Sequence, residues 1–183
     1  METEQQLIEA IQGGDRQAMR RLYDRFSGYT MATALRYIPD REVAKDVVQD
    51  CFVNILTSID RFEYRGEGSL RAWITRIISN QAIKWVKQHE LYTFTTFTDE
   101  MPQLEEEVLP DVEEVPPDIL NEMIGRLPAG YRLVLNLFVF EQLSHKEIAL
   151  RLGIKESTSA SQFCHAKRIL AEMITKYLNS TKI

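Results

Sequence analysis

SHKEIALRLGIKESTSASQFCHAKRIL, residues Ser144–Leu170, reads as two helices broken at Gly153 and followed by a basic tail. Ser144 and Glu147 form an S-x-x-E capping box, in which each side chain satisfies a backbone N–H left open by the first helical turn. Ile148, Ala149 and Leu152 recur at helical spacing and give that helix its inner face. Gly153 supplies a residue that takes positive φ without steric cost, as a sharp turn between helices requires. In the second helix, Phe163, Ala166 and Leu170 predict an inner stripe, extended backwards by Ser159. Thr158, Ser161, Gln162 and His165, at i, i+3, i+4 and i+7, are then expected on the outer face, with Lys167 and Arg168 near its end.

Two readings of this stretch stand side by side. One is an ordinary helical hairpin with a solvated face. The other is a helix-turn-helix that reads DNA, which the capping box, the glycine turn and the basic tail favour. A helix in the major groove reads base edges with short polar side chains and with Gln, which pairs bidentately with adenine. Cations serve chiefly the phosphates. Neutral side chains can therefore specify while Lys155, Lys167 and Arg168 hold, and so few cations predict weak binding by this module alone.

The formal net charge of −5 hides a partition. Residues 1–90 balance, with 13 Lys+Arg against 13 Asp+Glu. Residues 91–118 hold nine acids and no Lys or Arg, and residues 119–183 hold 9 Lys+Arg against 5 Asp+Glu. An asymmetry of this kind is expected where an acidic segment tethers a nucleic-acid-binding part. The 44% apolar and 27% charged content is that of a globular protein, and no apolar run approaches the ~20 residues of a membrane helix. The acidic N-terminus lacks the basic start of a signal peptide. Cys51 and Cys164, each in a helical pattern, are expected as reduced thiols of a cytoplasmic protein.

Upstream, helical signals dominate. Asp15 is placed to cap a helix carrying Met19, Leu22, Tyr23 and Phe26. After Pro39-Asp40, the positions Ala44, Val47, Val48, Cys51, Phe52, Ile55, Leu56 and Ile59 make the cleanest amphipathic stripe in the chain. Its opposite face shows Lys45, Asp46, Gln49, Asp50 and Asn54. RFEYRGEGSL reads as a loop with a possible cap at Ser69. A helix over about 70–88 follows, with Leu70, Trp73, Ile74 and Ile77 pointing one way, which would place Trp73 in the core. Arg76, Asn80, Lys84 and Lys87 form its second stripe. Residues 91–117, with four prolines and strong negative charge, predict an extended or flexible linker. The helical pattern resumes at Asp118, a plausible cap, with Ile119, Leu120, Met123, Ile124 and Leu127, and restarts after Pro128. The expected fold is all-α: two small helical domains, residues 1–90 and 118–183, joined by an acidic linker at 91–117.

Three further segments carry a resemblance. AKDVVQDCFVNI (44–55), GSLRAWITRIISNQAIKWVKQ (68–88) and LPAGYRLVLNLFVFEQLSHKEIALRLGI (127–154) resemble, in that order, the conserved regions of extracytoplasmic-function sigma factors, the small members of the sigma-70 class. Each motif alone is weakly specific, but the ordered set across an acidic linker is strongly so. The resemblance implies that Asp46, Gln49 and Asp50 dock on the coiled coil of the largest RNA polymerase subunit, although the bland alternative is a solvated face. It implies −10 DNA contacts for Arg65, Ser69, Arg71, Trp73, Arg76, Asn80, Lys84 and Lys87, with the loop from Glu63 to Ser69 as a pocket for a flipped-out base. For −35 DNA it implies Lys155, Ser157, Thr158, Ser161, Gln162, His165, Lys167 and Arg168. The implied partners are core RNA polymerase, promoter DNA and an anti-sigma factor, with no membrane contact of its own, and the linker would thread toward the polymerase active-site and RNA-exit region.

The chain departs from the family where Lys155 replaces a capping Ser, Ser159 a buried Val, and Ala160 and Gln162 basic residues. These changes bear on which −35 sequence is read. The rival reading is a stand-alone helix-turn-helix regulator that dimerises on operators, and a third is an adaptor that no longer touches DNA. Enzyme chemistry finds no support: adjacent Cys164 and His165 point ~100° apart on a helix and cannot share a metal, and no phosphate-binding loop or paired catalytic carboxylates occur. No cofactor or metal is expected.

Overall fold

The computed structural model describes residues 2–90 and 114–181, so most of the expected linker lies outside the described residues. The described residues form α-helices with short 3-10 stretches and no strand. Contacts divide the chain into two compact units, Met1–Lys87 and Gln88–Ile183.

The N-terminal unit contains α1 (Glu4–Gln12), α2 (Arg16–Tyr37), α3 (Arg41–Ser58), the 3-10 turn Ile59–Arg61 and α4 (Ser69–His89). Helix α1 was not anticipated from the sequence, although it opens on a capping box between Thr3 and Gln6. Asp15 caps α2 by accepting from Gln17 N at 2.7 Å, and Asp40 caps α3 by accepting from Glu42 N and Val43 N. The stripe read in α3 is the core: Ala44, Val47, Val48, Cys51, Phe52 and Ile55 are buried, and Leu56 is half-buried. In α4 the buried stripe is Leu70, Ile74 and Ile78, continued by Ala82, Ile83 and Val86. Trp73 and Ile77 are only half-buried, which corrects the expectation that Trp73 belongs to the core. The reason is periodicity: 70, 74, 78 and 82 advance by four, and Trp73 lies about 60° outside the row they make.

The C-terminal unit contains α5 (Pro117–Gly125), α6 (Ala129–Val139), α7 (His145–Leu152) and α8 (Glu156–Thr181). Pro117 takes the first position of α5, where its missing N–H costs nothing, and Asp118 lies in the first turn rather than at the cap. Val115, placed in the linker by sequence, is buried and packs with Met123 and Ile174. Every residue of α6 from Ala129 to Leu137 is buried, as expected of a helix surrounded by others. Its buried Arg132 donates to the carbonyls of Gly125 and Leu127, satisfying acceptors at the open end of α5. Leu127, Tyr131, Leu135 and Ala166 join α6 to α8 in one apolar cluster.

Candidate nucleic-acid and polymerase interface

The helix-turn-helix forms as its local signals dictate. Ser144 Oγ accepts from Glu147 N, and the Glu147 carboxylate accepts from Ser144 N at 2.8 Å, so each end of the box is satisfied. Ser144 Oγ also donates to the Glu147 carboxylate at 2.6 Å, and this bond, with the one from Ser144 N, holds the Glu147 carboxyl below its ordinary pKa. Gly153 stands at φ 71°, ψ 38°, the left-handed cap that closes α7. The polar Ser159, standing where an apolar residue is usual, is fully buried and meets His145 Nδ1 at 2.9 Å. That bond ties α8 to the start of α7, and Phe138 stacks on the other side of the His145 ring at 4.7 Å.

The outer face of α8 differs from the sequence expectation. Gln162 is 1% exposed and Ser161 4% exposed. Gln162 faces α6 so closely that a Cβ on Gly130 would come within 3.2 Å of its Nε2. His165 is stacked on Tyr131 at 5.3 Å, and Thr158 is half-buried. Of the four residues expected outside, Ser161 and Gln162 are therefore buried and Thr158 and His165 half-buried. The cause is packing on several sides: α5, α6 and α7 all contact α8, so its buried arc is wider than one apolar stripe. On the sector away from Gln162 and Ala166, Ser157 and Arg168 are exposed and Ala160 and Cys164 half-buried, bordered by the exposed Lys155 and Glu156 and the half-buried Lys167. Lys167 lays its ammonium 5.1 Å from the Phe163 ring centre. Lys155 stands just before the helix, where its carbonyl accepts from Ser159 N but its side chain, a pure donor, cannot cap.

On α4, Ser69, Trp73, Arg76, Asn80, Lys84 and Lys87 fall on one flank of the helix, about 80° wide, at 100° per residue. Arg76, Asn80 and Lys84 are exposed, while Trp73 and Lys87 are half-buried. Burial pulls the Lys87 ammonium below the ordinary lysine value. Among the α4 residues for which the resemblance implies −10 contacts, Arg71 is the exception: it lies on the other side, its guanidinium 4.2 Å from the ring centre of Tyr29 in α2. The stripe begins in an open groove of about 580 Å³, lined by Arg61, Phe62, Arg65, Ser69, Trp73 and Arg76 among others. Phe62 and Trp73 meet at 4.9 Å with rings tilted 42°, so the tryptophan edge is steadied while the groove stays open. Arg61 and Phe62 had not been singled out from the sequence; the R-F pair beside the glycine loop was the available signal. Ser69 does not cap α4. Its Oγ donates to Gly66 O at 2.6 Å and accepts from Arg65 N at 3.3 Å, closing the loop on itself.

On α3, Asp46, Gln49 and Asp50 are all exposed, opposite the buried stripe. Val53, one turn further along the same row, is 61% exposed, and Tyr23 of α2, 48% exposed, lies 4.7 Å from Phe52. The acidic face thus has an apolar margin that charge patterning alone did not reveal. Among the described residues no cluster of His, Cys, Asp or Glu could hold a metal ion, and no helix is long and apolar enough to cross a membrane. Cys51 and Cys164 are free thiols; Cys51 is buried, and burial pushes it up to about 12.

Comparison with known proteins assigns both units. Residues 22–91 match sigma-70 region 2, and residues 118–170 match sigma-70 region 4. The chain is 26% identical over 186 residues to the ECF RNA polymerase sigma-E factor of Haemophilus influenzae, covering 94% of this chain and 95% of that one. It is 26% identical over 192 residues to the RNA polymerase sigma-H factor of Pseudomonas aeruginosa, covering 97% and 96%. The fold is similar to the sigma factor RpoE of Bartonella quintana, solved in complex with the anti-sigma factor NepR, with a TM-score of 0.53 at 18% identity over 85% of this chain and 96% of that one. With both regions matched in order and relatives paired along nearly their whole length, the chain belongs to the extracytoplasmic-function group of the sigma-70 family, the subunits that direct RNA polymerase to promoters and start transcription.

Proposed function

We propose the following division of labour among the residues. Asp46, Gln49 and Asp50, with Val53 at their margin, dock on the coiled coil of the largest polymerase subunit. The groove beside Trp73 and Phe62 receives an unstacked base of the −10 element, because aromatic platforms beside cations suit single strands of any sequence. Arg76, Asn80, Lys84 and Lys87 carry the strand away along α4. The outward sector of α8 enters the −35 major groove, with Ser157, Ala160 and Cys164 toward the bases and Lys155, Lys167 and Arg168 toward phosphates.

The observation that carries this reading is the single flank of α4, on which an aromatic groove, two exposed cations and an amide follow one another. The rival reading, an operator-binding dimer, leaves this flank and the acidic face of α3 without a role. An anti-sigma factor is a further proposed partner, supported by the Bartonella quintana sigma factor having been solved with one. The protein would act in the cytoplasm, where the polymerase is, as a non-catalytic subunit.

Run-off transcription with purified core polymerase, coupled to permanganate probing of unpaired thymines, tests the assignment. Trp73→Ala should bind polymerase normally yet open the −10 region poorly. Normal opening by Trp73→Ala would remove the groove from the mechanism.

A further inference from the structure

We propose that α1 is a positioning element for promoter opening: Glu4 and Gln12 hold the two ends of the loop that receives the −10 base. The proposal rests on the assignment of that loop given above. Helix α1 lies outside the segments matched by either sigma-70 region, so neither region accounts for it.

The geometry has two independent halves. Glu4 is only 4% exposed, although it is a carboxylate beside Leu7 and Ile8. Its Oε2 accepts from Gly68 N at 2.9 Å and from Leu70 N at 3.4 Å. Those N–H groups belong to the start of α4, where the first turn leaves donors unpaired. The cap of α4 is therefore supplied from another helix, while Ser69 is engaged in closing the loop. At the other end, Gln12 Nε2 donates to Ile59 O at 3.0 Å and to Phe62 O at 3.4 Å. Gln12 stands eight helical steps beyond Glu4, a span of about 12 Å. Between them Leu7, Ile8 and Ile11 are buried, so positions 4, 7, 8, 11 and 12 form one face with an apolar centre and a polar anchor at each end.

The loop held this way contains Glu63, Arg65 and the glycines Gly66 and Gly68, at φ 114° and 88°. Besides the closure by Ser69, its side-chain bonds within the loop are exposed and local: Arg65 to Glu63 at 3.3 Å and Tyr64 to Glu67 at 3.5 Å. Such contacts contribute little to fixing a conformation. Backbone with two left-handed glycines has many alternatives to its bound shape, and ordering it at the moment of base capture would weaken capture. Bonds from α1 to the backbone on both sides restrict that freedom beforehand, and the bond to a carboxylate is the stronger kind.

Full-length variants with core polymerase test the proposal. Glu4→Ala should lower both the rate of −10 opening and the discrimination against a promoter changed at the captured base by about ten-fold, the loss expected for a charge-assisted hydrogen bond. Polymerase affinity and helix content below the melting temperature should stay as in the parent. Glu4→Gln keeps an acceptor oxygen in place and should restore most of the discrimination, which a general loss of stability would not explain. Gln12→Ala, at an exposed position, should lower opening in the same direction and serves if Glu4→Ala fails to fold. Should Trp73→Ala lose discrimination while folded Glu4→Ala and Gln12→Ala retain it, the role of α1 is overturned and the loop assignment stands. Should Trp73→Ala itself discriminate as the parent does, the loop assignment falls and the role of α1 falls with it.

Discussion

Gln162→Met separates the sequence reading of α8 from the structural one. In the structure the Gln162 amide is 1% exposed, and neither Oε1 nor Nε2 has a hydrogen-bond partner. Burying an amide without a partner costs about 1–3 kcal/mol by protein data. Methionine is unbranched, of similar length and nearly equal helix propensity, and it fills irregular space without polar atoms. The substitution should therefore stabilise the C-terminal unit by about 1–3 kcal/mol, and a small domain gains roughly 4–8 °C in Tm per kcal/mol. Thermal unfolding of the full chain followed by circular dichroism reads the first effect. Transcription from promoters varied through the −35 element, with core polymerase, reads the second. Preference at every −35 position should survive, because the amide faces Gly130 and not the groove. A base-reading glutamine would behave oppositely: the substitution would leave stability unchanged and cost about 1–3 kcal/mol of preference at one position. A lower Tm, or preference lost at one −35 position, would refute the burial argument.

Three other outcomes follow from the same geometry. Reversing Asp46 and Asp50 to Lys should weaken polymerase binding, more so at low salt, while far-ultraviolet dichroism is unchanged, because the buried stripe of α3 is untouched. Arg168→Ala removes an exposed cation of the outward sector, so −35 affinity measured in the polymerase complex should fall for all sequences alike and the salt slope should drop by about one unit. At pH 8 a maleimide should label Cys164 and leave Cys51 untouched until the chain unfolds, because burial raises the Cys51 thiol to about 12. The native state then holds that proton where the unfolded chain, near 9, would lose it, so stability from this group is present below pH 9 and declines as pH rises from there toward 12.

The parts of the fold visible in the sequence were those whose causes are contiguous. The box at Ser144 and Glu147 and the glycine at 153 lie within ten positions, and each acts on its neighbours. The α3 stripe was equally plain because one uninterrupted row faces one core. Helix α1 was hidden because Glu4 occupies a core-facing position and breaks the apolar period, although Thr3 and Gln6 carried a start signal. The outer face of α8 failed for a different reason. A helical wheel gives direction relative to one packing partner, whereas α8 has three, and the close approach of Gln162 depends on a glycine in α6. Trp73 likewise sat correctly on a helix and wrongly on its core stripe, since Phe62, which it meets, comes from another part of the chain.

That an acidic chain should bind DNA follows from where its charges stand rather than from their sum. At physiological ionic strength a charge is felt over roughly 8 Å. Nine of the acids fall in residues 91–118, and none of them is among the residues assigned to either promoter element. The outward sector of α8 and its border hold three cations, Lys155, Lys167 and Arg168, against the single Glu156, and the α4 flank has Arg76, Lys84 and Lys87 with Arg61 and Arg65 beside the groove. Each set neutralises few phosphates, so each alone binds weakly and releases little counterion. Two weak readers in one chain behave differently once polymerase holds both: the second encounter becomes intramolecular, and its effective concentration replaces the missing contacts. On the proposed assignment, few cations per element would act as a restraint, keeping the free protein off non-specific DNA and reserving tight binding for promoters that satisfy both elements at once.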